Sequence, residues 1–327
     1  MIIKTKDKIS DVVRQLNDFQ TGKVQFLSTG IDWLDHSLLG GLKPSDVLGI
    51  CGSSFHGKTF LSERITNHIK KDKSVIHLSC EWELELNKKV VNYLSQELNM
   101  SVRDIYNINP DEKLKAKYKE ALEIFRGDNL YLQNEPVSPE EFERDVIDVM
   151  EKHPNSKIVV TIDNLENVFS TSSSQKSDMD NILQKINILK KRHNHTIFIV
   201  LNQLNRDVGK NITDKRDNYP KMKDIHGTAQ LEKLSDCLVI IDNAYKRGLE
   251  DYMVFNPDHR YLYIDDSFKN QRKGGKTTSF KTMGNLFYHV PKARNIEQSS
   301  DTRDLYVEKI FDVPEDKEEE KITEFDY

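Results

Sequence analysis

Eight residues, GSSFHGKT from Gly52 to Thr59, constrain the fold of this chain more than any other stretch. They match the pattern G-x-x-x-x-G-K-[ST], in which a glycine-rich backbone turns around phosphate groups and a lysine neutralises them. The pattern is short enough to arise by chance, and a turn that caps a helix is the alternative. The apolar run VLGIC before it predicts a buried strand, and TFLSERITNHIKKD after it has helical periodicity. Strand, glycine loop and helix in this order favour a phosphate-binding loop.

The positions of this loop have distinct predicted roles. Its backbone amides would donate to phosphate oxygens at the positive end of the following helix. Lys58 would neutralise the β- and γ-phosphates, and the hydroxyl of Thr59 would hold Mg²⁺. The predicted nucleotide-binding set is Gly52, Ser53, Ser54, Phe55, His56, Gly57, Lys58 and Thr59. Phe55 and His56 fill variable positions, and no chemistry is assigned to them. The expected cofactors are ATP and Mg²⁺.

Two acidic residues follow apolar runs and are candidates for the chemistry of hydrolysis. KIVVTIDN places Asp163 at the end of a predicted strand, where its carboxylate would hold a water ligand of Mg²⁺. IHLSCE places Glu81 at the end of another strand, where it would polarise the attacking water. For each acid alone, an ordinary carboxylate in a turn is the alternative. A phosphate-binding loop together with both acids favours nucleotide hydrolysis.

The order of apolar runs predicts the fold class. SVIHLSCE, LYLQ, KIVVTID, TIFIVLNQ and CLVIID look like strands and are mostly separated by segments of helical periodicity. Such alternation predicts an α/β fold with a parallel sheet covered by helices on both faces. YLYID, LFYHV and LYVEKIF have little helix between them, so we expect an antiparallel edge. The predicted organisation is a linker helix in residues 1–26, one ATPase domain over 27–313 and an acidic disordered tail over 314–327.

Composition excludes several classes of protein. No run of eighteen apolar residues is present, so no membrane-spanning helix is expected. Three scattered cysteines lack the spacing of a zinc site and fit a reducing compartment. Together with an N-terminus that does not look like a signal peptide, this predicts a cytoplasmic protein. The tail 314–327 holds seven acids and two lysines, so the net charge of −5 arises there and does not argue against nucleic acid binding elsewhere.

Six segments, in order, resemble one family. STGIDWLDHSLLGGLKPSDVLGICGSSFHGKT resembles the opening of the ATPase domain in bacterial and phage replicative helicases of the DnaB type, which belong to the RecA-like superfamily. HLSCEWEL is similar to their strand with the catalytic glutamate, and IVVTIDNLENV to their Walker B strand. IFIVLNQLNRDV is similar to their S-Q-L-N-R element, with Asn202 in place of serine. DIHGTAQLEKLSDCLVIIDN resembles the segment after their second DNA loop. VPKARN resembles their arginine-finger strand, with Ile296 where glycine is usual.

The resemblance covers roughly residues 27–312 and implies a function. It implies a RecA-like core that hydrolyses ATP, moves 5′ to 3′ along single-stranded DNA and unwinds duplex as a ring, most commonly a hexamer. Gln203 would sense the γ-phosphate, and Lys292 and Arg294 would reach into the site of the next subunit to stabilise transition-state charge. Lys269 and Arg272, in FKNQRKGG, are the competing candidates for this finger.

The DNA contact rests on the loop that follows Leu204. It contains Arg206, Lys210, Lys215 and Arg216, which would contact phosphates in the pore of a ring. A solvated surface is an equally good interpretation of these charges.

The matching region begins at residue 27, whereas the family usually carries a helical or primase domain before it. The resemblance therefore implies a trimmed version of the kind that phages carry, acting in the host cytoplasm. A RecA-type recombinase, which forms filaments, and a ring-forming ATPase switch of the circadian-clock type are the alternative functions.

The acidic tail generates a first prediction. PEDKEEEKITEFDY has too little apolar content to fold, and it ends in aromatic residues set among acids. A tail that only adds solubility is the simplest interpretation. Similar tails hold the polymerase in phage primase-helicases, and this resemblance implies that the tail recruits a replication partner or covers the basic pore. Deletion of residues 314–327 should leave DNA-stimulated ATPase activity intact and weaken polymerase binding, most strongly at low salt. Unchanged polymerase and DNA affinities, measured with the deletion and with Tyr327→Ala, would exclude both roles.

Overall fold

The computed structural model describes residues 26–83, 85–170, 174–205, 219–227, 229–255, 259–264, 277–293 and 303–309, with residue 208 and a few isolated positions nearer the N-terminus. For residues 254–255, 259–264, 277–278 and 303 the backbone alone is described. Most of the predicted linker helix and the whole tail lie outside the described residues. Within them, the chain forms a nine-stranded sheet and a separate two-stranded sheet.

The strands are short, and the sequence predicts nine of the eleven found among the described residues, all but those at Asp251–Phe255 and Thr277–Lys281. Their bounds are β1 Val47–Gly52, β2 Val75–Glu81, β3 Leu130–Gln133, β4 Lys157–Asp163, β5 Thr196–Gln203, β6 Cys237–Asp242, β7 Asp251–Phe255, β8 His259–Ile264, β9 Thr277–Lys281, β10 Asn285–Ala293 and β11 Arg303–Lys309. The large sheet has the order β3-β2-β4-β5-β1-β6-β10-β11-β8. The first six strands in this order are parallel.

Helices connect most of the parallel strands. They are α1 Asp32–Ser37, α2 Lys58–Lys70, α3 Leu86–Leu98, α4 Val102–Asn107, α5 Glu112–Leu122, α6 Pro139–Lys152, α7 Gln175–Arg192 and α8 Ala229–Leu234. Short 3₁₀ turns cover Glu123–Arg126, Leu165–Asn167, Met222–Asp224 and Ala244–Arg247. The sequence marks some ends clearly: α6 begins with a capping box between Ser138 and Glu141. The six-residue helices α1, α4 and α8 are too short for periodicity to reveal, and the sequence did not predict them.

The core consists of two layers, one on each face of the large sheet. One layer joins α6 and α7 to the sheet and includes Phe142, Ile186 and Phe198. The other joins α1 and α2 to the opposite face and includes Ile65 and Ile199. Neighbouring residues of β5 alternate between the layers, as strand geometry requires. The predicted α/β fold, with helices on both faces of a mostly parallel sheet, is therefore confirmed.

The edge beyond β6 differs in part from the expectation. β10 runs antiparallel to both β6 and β11, as predicted. The last strand, β8, instead lies parallel to β11. Its neighbours in sequence, β7 and β9, pair with each other in the two-stranded sheet, so β8 has no adjacent hairpin partner. None of the helices in the described part of the chain has the length and apolar character needed to cross a membrane.

Candidate nucleotide site

The predicted phosphate-binding loop connects the end of β1 to the start of α2. Gly52 is the last residue of β1 and Lys58 is the first of α2, which confirms the context that the sequence predicted. Gly57 has φ of +100°, a conformation that side chains other than glycine rarely adopt. A Cβ at Gly52 would lie 3.0 Å from the carbonyl oxygen of Ile241. The backbone conformation therefore requires glycine at position 57, and a side chain at position 52 would crowd the neighbouring strand.

The lysine side chain lies inside this loop. Lys58 Nζ donates to the carbonyl oxygens of Gly52 at 3.0 Å and Ser53 at 3.1 Å. Its burial lowers the pKa of the ammonium, while the carboxylates of Glu83 and Asp163 oppose that shift. The ammonium thus sits among backbone oxygens beside two acids, at the base of a loop shaped for phosphate.

The two variable loop positions differ sharply in their surroundings. Phe55 is 85% exposed. His56 is buried, and its Nδ1 accepts a hydrogen bond of 3.1 Å from the amide of Asn243 and lies 3.4 Å from Asp242 Oδ1. His56 therefore anchors the loop to the end of β6, a structural role that the sequence did not suggest.

The end of β4 supplies oxygen donors that fit Mg²⁺. Asp163 is 3% exposed, and its pKa is raised to about 6, chiefly by burial. A hydrogen bond with the side chain of Thr59 favours the carboxylate form. Asp163 Oδ1 is buried and has no hydrogen-bond partner among the described residues. A hydroxyl and a carboxylate with a buried oxygen to spare are the hard donors that Mg²⁺ prefers, so Thr59 and Asp163 fit the cation.

Glu81 lies on the strand next to Asp163, at the same height. The two residues are register partners in the parallel pair β2 and β4. Glu81 Oε1 accepts hydrogen bonds from Lys89 Nζ and from Ser79 Oγ. Glu81 Oε2 has no hydrogen-bond partner among the described residues. Sequence reasoning missed Lys89, which stands in the first turns of α3; its place eight residues after Glu81 was the available signal.

Gln203 completes the row of strand ends. It is the last residue of β5 and the register partner of Gly52. Its Oε1 accepts a hydrogen bond of 3.3 Å from Ser54 Oγ, so the side chain touches the loop. The structure thus brings together Gly52, Lys58, Thr59, Glu81, Asp163 and Gln203 at one edge of the sheet. This is the edge where open α/β sheets bind their ligands.

The predicted finger residues lie elsewhere. Lys292 of β10 pairs in register with Leu238 of β6, three residues from Ile241, which pairs with Gly52. Three residues of strand span about 10 Å, so Lys292 lies away from the loop of its own chain. Its Nζ donates to the carbonyl oxygen of Glu232. The predicted finger and pore residues Arg294, Lys269, Arg272, Arg206, Lys210, Lys215 and Arg216 lie outside the described residues.

Comparison with known proteins agrees with this geometry. The model of the DnaB-like helicase C terminal domain family matches residues 27–279. This chain belongs to the DnaB-like helicase family. The resemblance seen in the sequence is thereby confirmed, and the chain contains a replicative helicase domain. DnaB-like helicases use nucleotide and Mg²⁺, bind single-stranded DNA and form hexamers. No curated protein sequence matches the chain.

Solved structures share the fold at low sequence identity. The structure described as "ATPase Domain of G40P" has a TM-score of 0.66 and 14% identity, and the match covers 88% of this chain and 90% of that one. "The Structure Of A DnaB-Like Replicative Helicase And Its Interactions With Primase" has a TM-score of 0.63 and 14% identity, covering 90% of this chain and 66% of that one. At this identity the likeness shows the shared RecA-like fold.

The separate positions of Lys58 and Glu81 generate a prediction. Lys58→Ala should abolish ATP binding or turnover, because it removes the cation inside the loop. Glu81→Gln should retain binding and lose hydrolysis by about 10² to 10⁴-fold, since the amide cannot accept a proton from water. Nucleotide binding by calorimetry and steady-state phosphate release measure the two effects. Normal hydrolysis by Glu81→Gln would show that the base lies at another residue.

Proposed function

We propose that this protein is an ATP-driven ring helicase that moves along single-stranded DNA and separates duplex. The observation that carries the proposal is the convergence of the phosphate-binding loop with Glu81, Asp163 and Gln203 at one sheet edge. The loop amides and Lys58 bind the phosphates. Glu81 orients water and accepts its proton through a carboxylate oxygen. Thr59 and Asp163 hold Mg²⁺, which neutralises phosphate charge when it is bound.

The way in which Gln203 is built into the site supports coupling between ATP and DNA. Leu204 forms an isolated antiparallel bridge with Ile225, and the amide of Asn205 donates to the carbonyl of Asp224 at 2.7 Å. These bonds close the base of the segment that contains the proposed DNA-binding residues. Since Gln203 contacts Ser54 of the phosphate-binding loop, loss of the γ-phosphate would change the contacts where this segment begins and ends. A local change could then move the DNA-binding segment.

The proposed DNA contact uses charge rather than base recognition. Arg206, Lys210, Lys215 and Arg216 lie between the two ends of this closed segment. In a ring, one copy per subunit would surround the strand, so a modest charge is multiplied around the axis. Contacts to phosphates give binding that does not depend on sequence and that weakens with salt.

The position of Lys292 favours action between subunits. It lies about 10 Å along the sheet from the loop of its own chain, too far to contact the same nucleotide. Arg294 follows two residues later. We therefore propose that Lys292 and Arg294 stabilise the transition state bound to a neighbouring subunit, which requires an oligomer, most simply a hexamer.

Strand separation tests the function directly. With ATP and Mg²⁺, the protein should release the labelled strand of a forked duplex. Omission of the single-stranded tail should prevent release, because the ring then has no single strand to move along. Lys58→Ala is the matched inactive control. Electron microscopy with ATP and single-stranded DNA should show rings. Filaments would favour a recombinase, and DNA-dependent ATPase activity without strand release would favour a switch.

Mixing variants tests the finger. Arg294→Ala should lose turnover, and addition of Lys58→Ala subunits should restore part of it, because some mixed interfaces join an intact loop to an intact finger. The double variant Lys58→Ala with Arg294→Ala is the control, since it supplies no finger and should not rescue. Absence of rescue at every mixing ratio contradicts action in trans. A loss seen with Arg272→Ala and not with Arg294→Ala would move the finger to the earlier segment.

A further inference from the structure

A buried lysine lies directly behind the proposed catalytic glutamate. Lys89, on α3, extends to the end of β2, where its Nζ donates to Glu81 Oε1 and lies 3.2 Å from Ser79 Oγ. Ser79 Oγ also donates to Glu81 Oε1. The side chains of Lys89 and Glu81 are only 8% and 1% exposed. Two hydrogen-bond donors therefore contact the same carboxylate oxygen, and the contact is shielded from solvent.

The contact is part of a larger group of buried charges. Glu63, on the helix that follows the phosphate-binding loop, is 4% exposed, and burial raises its pKa to about 7. Of the charges around Glu63, that of Lys89 lowers the pKa of Glu63 most, and it also favours the ionised form of Asp163. The ammonium of Lys89 thus interacts with acids on α2, β2 and β4. Burial lowers the pKa of Lys89, and the carboxylates of Glu63 and Asp163 oppose that shift.

Stability alone is a poor explanation for this arrangement. Transfer of a lysine and a carboxylate out of water is costly for each ion, and their mutual attraction only roughly offsets that cost. Apolar residues of the same volume would fill the space at least as well. What an apolar residue cannot do is hold Glu81 in one rotamer while leaving it ionised, and a general base needs both properties.

We propose that Lys89, together with Ser79, positions Glu81 for catalysis. The two donors fix Oε1 and so leave Oε2 as the oxygen that accepts the proton from water. Oε2 is buried and has no hydrogen-bond partner among the described residues, so its lone pairs are not used within the described part of the chain. Lys89 touches neither nucleotide nor water in this scheme and acts through Glu81. The inference rests on the proposed function, since it takes Glu81 as the base.

The first test separates turnover from binding. Lys89→Met keeps the length of the side chain and removes the ammonium, so kcat for ATP should fall by about 10²-fold, the usual result of a misplaced catalytic group. KM and the affinity for a non-hydrolysable ATP analogue should stay at the wild-type values. Lys70→Met is the matched control: Lys70 is also buried, at 4% exposed, and also interacts with Glu63, but its ammonium lies over the ring of Phe125. It should retain normal kcat.

The second test asks whether Lys89 acts through Glu81. In the Glu81→Gln background, Lys89→Met should cause no further loss of kcat, because the group that it positions is already gone. A general structural defect would instead multiply the two losses. Ser79→Ala gives an independent reading with a smaller change, and it should lower kcat without changing KM. It decides the matter if Lys89→Met does not fold.

The outcomes separate this inference from the function on which it rests. Normal kcat in Lys89→Met overturns the positioning role, and Ser79→Ala takes the place of this variant if Lys89→Met does not fold. In that case an inactive Glu81→Gln still supports the assignment of Glu81 as the base of an ATPase. Losses that multiply in the double variant also overturn it. Normal turnover in Glu81→Gln removes the base itself, and both proposals then fail together.

Discussion

The parallel register of the central strands is the constraint on which the rest of the site depends. Ladder hydrogen bonds place Gly52 opposite Gln203 and Glu81 opposite Asp163. Side chains alternate between the two faces of a strand, so a slip of one residue would turn these groups into the helical layers. The close packing of the apolar residues in the two layers opposes such a slip, because each side chain would have to repack on the opposite face. The core thereby sets the positions of the polar strand ends.

A second consequence of this register is that charges are forced together in a dry environment. Lys58, Glu81, Lys89 and Asp163 are each less than one-tenth exposed. Charges interact more strongly away from water, which favours catalysis, but their burial is costly for folding. Ionisable groups buried in this way at the ligand edge of an α/β sheet are typical of functional sites. The apolar layers on either side offset that cost.

The phosphate-binding loop is held from two sides, by the strands that flank β1. On one side His56 Nδ1 accepts a hydrogen bond from the amide of Asn243, the residue after β6. On the other side Ser54 binds Gln203 at the end of β5. The second contact continues into the bridged base of the segment after Leu204. Residues of one strand, β5, therefore connect the loop directly to the base of that segment.

The sequence by itself determined the class of fold and the main parts of the site. Strand runs, helical periodicity and the glycine pattern are local signals, and they predicted the α/β sheet, the loop around Lys58 and both strand-end acids. Strand order, the parallel placement of β8 and the pairing of β7 with β9 depend on contacts between distant segments, which local periodicity does not encode. For the same reason, only the tertiary structure showed that Lys89 donates a hydrogen bond to Glu81 and that His56 lies beside Asp242. A buried ion pair depends on which side chains the packed core brings together, and in one sequence a buried lysine looks the same as an exposed one.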